Sequence, residues 1–292
     1  MKQFLGTGVA LVTPFTRENE VDENALRKLV QFQIKNGVDY IVVLGTTAES
    51  ATLSKVEKET VKNIIKSENN GQLPLVLGLG GNNTSQVVED LSRENLEGFG
   101  AILSVSPFYN KPSQEGIYQH FSEVSKASKL PIIVYNVPGR TGSNMLPLTV
   151  TRLANDFDNI IGIKEAAGDI VQAMTVIRDT PDDFLVISGD DMIALPMVLA
   201  GGAGVISVMA QGYPDEFSKM LSLGREGKVK EAFTIQFQLM DGVDLIFKEG
   251  NPSGIKAVLK LKNLCESSVR LPLVEASSIL KSALKVFNSQ LK

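Results

Sequence analysis

The sequence is poor in the residues that bind metal ions and form disulfides. It has one cysteine, Cys265, and one histidine, His120, among 292 residues. A lone cysteine cannot form an intramolecular disulfide, which favours a reducing compartment and a packing role for Cys265. Without a Cys/His cluster we expect neither a metal nor another cofactor. A Ser-His-Asp mechanism is also disfavoured, because His120 falls in a helix predicted over 115–128 with no nucleophile elbow nearby.

The chain also lacks a basic excess and a long apolar run. Its 29 Lys and Arg stand against 33 Asp and Glu, with a pI near 5.3. We therefore expect no nucleic-acid partner, because a phosphate backbone requires a basic surface. No run of roughly 18 apolar residues occurs, and residues 1–6 lack the apolar region of a signal peptide. These features predict a cytoplasmic protein with no membrane association.

Eight short apolar runs rich in Val and Ile recur along the first 210 positions. They cover residues 8–13, 39–44, 73–79, 101–105, 131–135, 160–164, 184–188 and 204–208. Near-continuous apolar runs are typical of parallel strands that are covered on both faces. Segments with helical periodicity alternate with them, as in residues 23–37 and in the helix that begins at Ser54. Neither Gly78-Leu79-Gly80 nor Gly45-Thr46-Thr47 completes a nucleotide-binding motif. The pattern predicts a (β/α)8 TIM barrel rather than a doubly wound open sheet.

The strand pattern stops after about Gly224, and helical periodicity follows over 228–247, 254–264 and 274–291. We expect a (β/α)8 catalytic barrel over 1–224 and a C-terminal helical region over 225–292. Pro252 marks the start of the middle helix. This region is expected to serve packing and assembly rather than chemistry.

The candidate nucleophile is Lys164, which ends the sixth predicted strand. Reactive residues of such barrels lie at the C-terminal ends of the strands, and burial there should lower the pKa of the amine. A neutral amine can attack a carbonyl, whereas an ammonium cannot. The alternative is a structural lysine paired with Glu165, Asp190 or Asp191. Glu165 is expected to point away from Lys164, because successive side chains of a strand face opposite sides.

Tyr135 ends the fifth predicted strand, and adjacent strands lie about 4.8 Å apart. Its phenol could therefore pass protons to and from an adduct on Lys164, although a buried tyrosine bonded to the backbone is the common alternative. Arg140 follows in a Gly-rich turn, where it could grip a carboxylate or form a surface salt bridge.

Two further loops follow predicted strands at the same end of the barrel. Residues 45–50 form a turn of small hydroxyl residues that could hold a carboxylate, or could cap the next helix. Residues 106–112 form a proline-stiffened loop with two aromatic residues, which usually pack or mediate subunit contacts.

Six segments carry a resemblance to a known family. They are residues 45–50 (GTTAES), 106–112 (SPFYNKP), 135–142 (YNVPGRTG), 162–166 (GIKEA), 188–191 (SGDD) and 204–208 (GVISV). Together they resemble the 4-hydroxy-tetrahydrodipicolinate (dihydrodipicolinate) synthase family, nearly end to end. The resemblance implies a lyase that condenses pyruvate with L-aspartate-4-semialdehyde in diaminopimelate and lysine biosynthesis. Residues 135–142 are similar to the synthases in particular, whereas the lysine motif is shared by all pyruvate-dependent Schiff-base aldolases.

The resemblance also implies a role for each matching residue. Lys164 would form the Schiff base and Tyr135 would donate and accept protons, with Thr46 and Tyr109 completing a proton relay. Tyr109 would come from the neighbouring subunit, since the family is commonly a homotetramer built as a dimer of tight dimers. The substrate-binding residues would be Thr47 and Ile206 for pyruvate, Arg140 for the semialdehyde, and Gly189.

The sequence departs from the family pattern at two places. Ala48 stands where glycine is usual, which puts the geometry of that turn in question because alanine tolerates positive φ less readily. The positions that bind a lysine inhibitor in some members correspond here to Lys55, Lys58, Phe108 and Gln86, while Ser50, Ala51 and Asn82 fit the regulated pattern. Added positive charge disfavours a cationic ligand, so we predict weak or absent inhibition by lysine.

Two alternatives remain at this point. One is another pyruvate-dependent aldolase acting on a sugar acid, such as N-acetylneuraminate lyase or 2-keto-3-deoxygluconate aldolase. The other is a catalytically silent barrel that binds a ligand. A nucleophile joined to a proton path argues against the second, because a binding protein needs neither.

Overall fold

A computed structural model describes residues 2–291 and shows a closed barrel of eight parallel strands. Each strand pairs with its neighbours in chain order, and the last pairs with the first. The strands are β1 (Gly6–Ala10), β2 (Tyr40–Val43), β3 (Leu75–Gly78), β4 (Ala101–Val105), β5 (Ile132–Asn136), β6 (Ile160–Glu165), β7 (Leu185–Ser188) and β8 (Gly204–Ser207). The predicted (β/α)8 barrel is confirmed.

The α-helices of residues 2–291 surround the barrel and continue beyond it. They are α1 (Glu23–Lys35), α2 (Lys55–Asn69), α3 (Thr84–Arg93), α4 (Gln114–Ala127), α5 (Pro138–Thr141), α6 (Pro147–Asp156), α7 (Ile170–Asp179), α8 (Ala194–Leu199), α9 (Pro214–Arg225), α10 (Val229–Phe247), α11 (Ser253–Leu261) and α12 (Ser278–Gln290). Short 3-10 turns cover Lys2–Phe4, Thr46–Ala48, Ser50–Thr52 and Met209–Gln211. No helix within 2–291 is long and apolar enough to span a membrane.

Two apolar clusters follow from the alternation of side chains along the strands. The inner cluster fills the barrel with residues such as Tyr40, Ile133 and Ile206. The outer cluster packs the opposite strand faces against the helices, with residues such as Val9 and Ile163. Both strand faces are therefore buried, which explains why the strands are apolar throughout rather than alternating.

The strands coincide with the eight apolar runs, but the first run extends past its strand. β1 ends at Ala10, whereas the run continues to Thr13. Val12 N–H donates to the Gln211 side chain at 2.8 Å instead of joining the sheet. Leu11 N–H still donates to the Val42 carbonyl of β2 at 3.1 Å, but from Val12 the chain leaves the sheet while it remains buried. Apolar character alone therefore predicted a strand end that lies too late.

Helix starts agree with the capping pattern in the sequence. Ser54 caps α2 in a capping box with Glu57, whose side chain accepts from the Ser54 backbone N–H. The last helices begin and end close to the predicted positions, although α12 begins at Ser278 rather than 274 because Ser277 provides its N-cap. No strand occurs between Ser207 and residue 291.

Candidate active site

Lys164 lies inside the barrel at the C-terminal end of β6. It is 5% exposed, and its Nζ lies 4.5 Å from the centroid of the Tyr135 ring. Burial lowers the pKa of Lys164 to about 8; the nearby Arg140 adds to this effect and Asp191 opposes it. Roughly a tenth of the amine is therefore neutral at pH 7, far more than for a lysine with the ordinary pKa of about 10.4, and this fraction can act as a nucleophile.

A bulge between β5 and β6 sets the side of the sheet on which Lys164 lies. Ile132 pairs with Ile160 but Ile133 pairs with Gly162, so β6 holds one extra residue at Ile161. Past the bulge, Tyr135 and Lys164 are direct partners. Bulges commonly re-aim side chains next to active sites. The extra residue thus places the amine beside the phenol on the inner face.

The carboxylates that could make Lys164 a structural lysine are engaged elsewhere. Glu165 points away from the barrel interior, where both its oxygens accept from Asn136 Nδ2 at 3.0 Å and one also accepts from Gln172 Nε2 at 3.0 Å. Burial raises the pKa of Glu165, while these hydrogen bonds lower it. Within residues 2–291, no carboxylate oxygen lies within 4.0 Å of Lys164 Nζ, so the structural ion pair is absent.

Asp191 is a buried carboxyl group that is close enough to Lys164 for its charge to affect the pKa of the amine. Its Oδ2 accepts from the backbone N–H groups of Val208 at 3.1 Å and Met209 at 2.9 Å. Burial raises its pKa to about 6, against the lowering effect of these bonds and of Ser207. Asp191 therefore joins the loop after β7 to the end of β8. Its ionised form also favours the charged form of Lys164.

Tyr135 is 7% exposed and faces Thr46 across the barrel mouth. Burial raises the pKa of its phenol, whereas the Arg140 charge and the Thr46 hydroxyl lower it. The predicted neighbours Lys164, Tyr135 and Thr46 all line one cavity of about 600 Å³. The geometry therefore brings a nucleophile, a phenol and a hydroxyl together in one cavity.

The turn after β2 does not cap the helix that follows it. Thr46–Ala48 and Ser50–Thr52 form two 3-10 turns, and the N-cap of α2 is Ser54. The helix-cap alternative for these residues is therefore wrong. Ala48 does not have positive φ; the left-handed residue is Glu49, at φ 54°. Alanine is thus accommodated without strain, and the concern about this departure is removed.

The other substrate-binding candidates lie on β8, directly after β7 and in α5. Ile206 is buried in the inner cluster on β8. Gly189 follows β7, and a Cβ there would lie 2.9 Å from Lys164 Cε, so a side chain at this position would displace the lysine. Arg140 is exposed in the short helix α5, close enough to affect the pKa values of both Lys164 and Tyr135. The sequence had predicted an irregular turn there.

Tyr109 is not brought to the site within this chain. It is 87% exposed with φ 71°, on the loop after β4. Its N–H donates to the Thr141 carbonyl, which ties the loop to α5. The side chain of Tyr109 thus extends away from the subunit that carries it.

The cavity extends from the amine to the exposed start of α2. Its outer part is lined by Lys55, Lys58, Gln86 and Ser50. Asn82 and Phe108, which are not among the lining residues, are joined by a hydrogen bond from Asn82 Nδ2 to the Phe108 carbonyl at 3.1 Å, and Ala51 is exposed. Three of the four positions that depart from the regulated pattern, Lys55, Lys58 and Gln86, therefore line one groove.

Two contacts from the C-terminal helices were missed by sequence reasoning. Lys256 Nζ, fully buried in α11, pairs with Glu49 Oε1 at 2.6 Å, and Asn251 Nδ2 donates to Thr47 Oγ1 at 2.9 Å. The sequence did contain a signal for the first contact: Lys256 lies among the apolar residues of 255–259, and a buried lysine requires a partner. The pairing of positions 207 apart was not predictable from spacing.

A metal-ion site is not formed by the described part of the chain. Between residues 2 and 291, no three His, Cys, Asp or Glu side chains cluster as metal ligands. His120 is buried in α4, where its Nδ1 lies 2.9 Å from Thr84 Oγ1, and burial lowers its pKa to about 4. A neutral histidine in such surroundings packs rather than reacts.

Comparison with known proteins agrees with the resemblance. A protein from Flavobacterium psychrophilum named 4-hydroxy-tetrahydrodipicolinate synthase is 61% identical over 291 residues, which cover 100% of this chain and 99% of that protein. The structure of a dihydrodipicolinate synthase from Thermotoga maritima superposes with a TM-score of 0.96 at 37% identity, covering 99% of both chains. The enzyme from Acinetobacter baumannii in complex with pyruvate superposes with a TM-score of 0.95 at 35% identity, covering 99% of both chains.

The family model described as "Dihydrodipicolinate synthetase family" matches residues 3–291. The match includes the barrel and the C-terminal helices, and with them Lys164, Tyr135 and the turn after β2. This chain belongs to the dihydrodipicolinate synthetase family.

Proposed function

We propose that this protein is a 4-hydroxy-tetrahydrodipicolinate synthase, a lyase that condenses pyruvate with L-aspartate-4-semialdehyde. The observation that carries the proposal is the buried amine of Lys164, whose pKa is lowered to about 8. The amine lies against the ring of Tyr135 in the cavity that Thr46 also lines. Membership of the family supports the choice of substrates.

The first half of the reaction requires a neutral amine and a route for protons. The Lys164 nitrogen attacks the carbonyl carbon of pyruvate, the carbonyl oxygen leaves as water, and a protonated imine forms. Protons must reach the departing oxygen and later leave the methyl carbon. We assign this role to Tyr135, because its phenol is buried beside the amine and faces Thr46.

The second half of the reaction forms a carbon–carbon bond. Loss of a methyl proton converts the imine to an enamine, whose carbon attacks the aldehyde of the semialdehyde, and the aldehyde oxygen takes up a proton to become a hydroxyl. The amino group of the semialdehyde then attacks the regenerated imine carbon, which closes the ring and releases the amine of Lys164. Arg140 would hold the carboxylate of that substrate, because its guanidinium fork suits a carboxylate and its charge acts on both Lys164 and Tyr135. Thr47, Ile206 and Gly189 would bind the pyruvate part.

We also propose the assembly and regulation that the resemblance implied. The exposed Tyr109 supports a homotetramer made of tight dimers, in which this phenol completes the relay of a neighbouring subunit. Lys55 and Lys58 in the outer cavity support weak or absent inhibition by lysine. A cytoplasmic location and the division into a barrel over 1–224 and a helical region over 225–292 remain parts of this proposal.

Substrate specificity is the direct test of the proposed function. Purified protein with pyruvate should consume L-aspartate-4-semialdehyde much faster than it cleaves N-acetylneuraminate or 2-keto-3-deoxygluconate. Preference for either sugar acid would instead identify a sugar-acid aldolase on the same fold. Failure with all of these substrates, together with failure to bind pyruvate, would favour the silent barrel.

A further inference from the structure

Asn251 connects the C-terminal helices to the turn that is proposed to bind pyruvate. It lies between α10 and α11, and its Nδ2 donates to Thr47 Oγ1 at 2.9 Å, across 204 positions of the chain. Thr47 is 3% exposed. The hydroxyl of Thr47 is therefore held by a residue outside the eight strands and their loops.

The direction of this hydrogen bond determines what the Thr47 hydroxyl can do. A hydroxyl has one hydrogen to donate and two lone pairs that accept. Because Asn251 occupies a lone pair as a donor, the hydrogen of Thr47 is left for another acceptor. Within residues 2–291, Thr47 Oγ1 donates to no protein atom. A substrate carboxylate next to this turn would be the natural acceptor.

We propose that Asn251 is a positioning residue that orients the Thr47 hydroxyl to donate to the carboxylate of pyruvate. This inference rests on the proposed function, which places pyruvate at Thr47. It also gives the C-terminal region a part in substrate binding, beyond packing and assembly. Asn251 acts through Thr47 and does not itself need to touch the substrate.

The turn is rigid enough for the direction of one hydroxyl to matter. Glu49, two residues after Thr47, is anchored by Lys256 Nζ at 2.6 Å and by the backbone N–H of Arg270 at 2.8 Å. The Ala48 carbonyl accepts from Thr13 Oγ1 at 2.8 Å. Because the backbone that follows Thr47 is fixed at Ala48 and Glu49, loss of the Asn251 bond should change the orientation of the hydroxyl more than the position of the turn.

Two substitutions test whether Asn251 acts by donating a hydrogen bond or only by filling space. Asn251→Leu keeps a similar volume without a donor, and Asn251→Asp offers an acceptor that would take the Thr47 hydrogen for itself. Each should raise the KM for pyruvate about tenfold to a hundredfold, the range expected for losing a hydrogen bond to a charged group. The KM for the semialdehyde and kcat should change much less. The pyruvate concentration for half-maximal borohydride trapping should rise in parallel.

A matched control uses another asparagine of the C-terminal region. Asn288 Oδ1 accepts from the Tyr213 hydroxyl at 3.0 Å, so Asn288→Leu removes a comparable hydrogen bond that does not involve the turn. This control should leave the KM for pyruvate unchanged. A similar rise in the control would show a general effect of weakening the C-terminal region, and it would overturn the inference.

A double-mutant cycle tests whether Asn251 acts through Thr47. Thr47→Val removes the hydroxyl, so adding Asn251→Leu to it should raise the KM for pyruvate little further. Fully additive effects, or an Asn251→Asp variant with the wild-type KM, would overturn the inference. Wild-type protein is first tested for pyruvate trapping: no trapping refutes the proposed function and this inference with it, whereas trapping with unaltered variants refutes the inference alone.

Discussion

At the scale of single residues, the chemistry depends on the burial of Lys164 inside the barrel. Lys164 differs from the surface lysines of this chain in being buried without an ion pair, so its charged form is destabilised. The neighbouring carboxyl groups do not cancel this effect, because Glu165 faces the helices and Asp191 is held by backbone N–H groups. The site thus keeps an amine reactive near neutral pH.

Arg140 should serve the second substrate rather than the first. Arg140→Ala should lower kcat/KM for the semialdehyde about a hundredfold or more, since a charge-assisted contact with its carboxylate is lost. Pyruvate trapping on Lys164 should fall far less. Steady-state kinetics and trapping, measured on the same preparation, make the comparison. Equal losses in both assays would contradict the role of Arg140.

Single positions at the strand ends were the most predictable part of the site. Lys164 and Tyr135 were found from the rule that barrel enzymes place reactive residues where strands end, and they do lie together. The relay role of Thr46, which lines the same cavity, came from the family resemblance. Asn251 and the Glu49–Lys256 pair were not found, because such contacts join positions about 200 apart and depend on packing. Tyr109 could be connected with the site only through the family resemblance.

At the scale of elements, the ends of β5 and β6 are joined on both faces. On the inner face Tyr135 meets Lys164, and on the outer face the next residues, Asn136 and Glu165, form hydrogen bonds at 3.0 Å. The bulge at Ile161 determines this register. Apolar periodicity predicted both strands but could not predict the bulge, because an extra isoleucine fits an apolar run at any position.

Lys256 should be essential for stability because its partner is also buried. Lys256→Met leaves the carboxylate of Glu49, 1% exposed, without its cation, which should cost about 3–5 kcal/mol of unfolding free energy. The matched control is Lys260→Met in the same helix, where the pair with Glu266 is 46% and 34% exposed and should matter much less. Urea denaturation followed by circular dichroism compares them. Equal losses would show that α11, rather than the ion pair, is the sensitive feature.

At the scale of the whole molecule, the exposed Tyr109 predicts that active sites are shared between subunits. Tyr109→Phe and Lys164→Ala should each be nearly inactive. In a hybrid dimer, the subunit that keeps Lys164 receives Tyr109 from its partner, so co-expression should restore roughly a quarter of wild-type activity. If Tyr109 acts within its own subunit, mixing restores nothing.

Regulation by lysine should be weak, because the groove that would accept it carries Lys55 and Lys58. We expect little loss of activity at physiological lysine concentrations. Replacing both lysines with neutral glutamine should make the groove more receptive to a cation. Marked inhibition of the wild-type protein by lysine would contradict this interpretation.

The proposed chemistry depends most on the protonation of Lys164, which a pH series of borohydride trapping with pyruvate measures directly. The neutral amine is the reactive form, so the rate of trapping should rise with pH and reach half of its maximum near pH 8, the lowered pKa of Lys164. Mass mapping should find the label on Lys164. A label on another lysine, or a midpoint near the ordinary lysine value of about 10.4, would contradict the account.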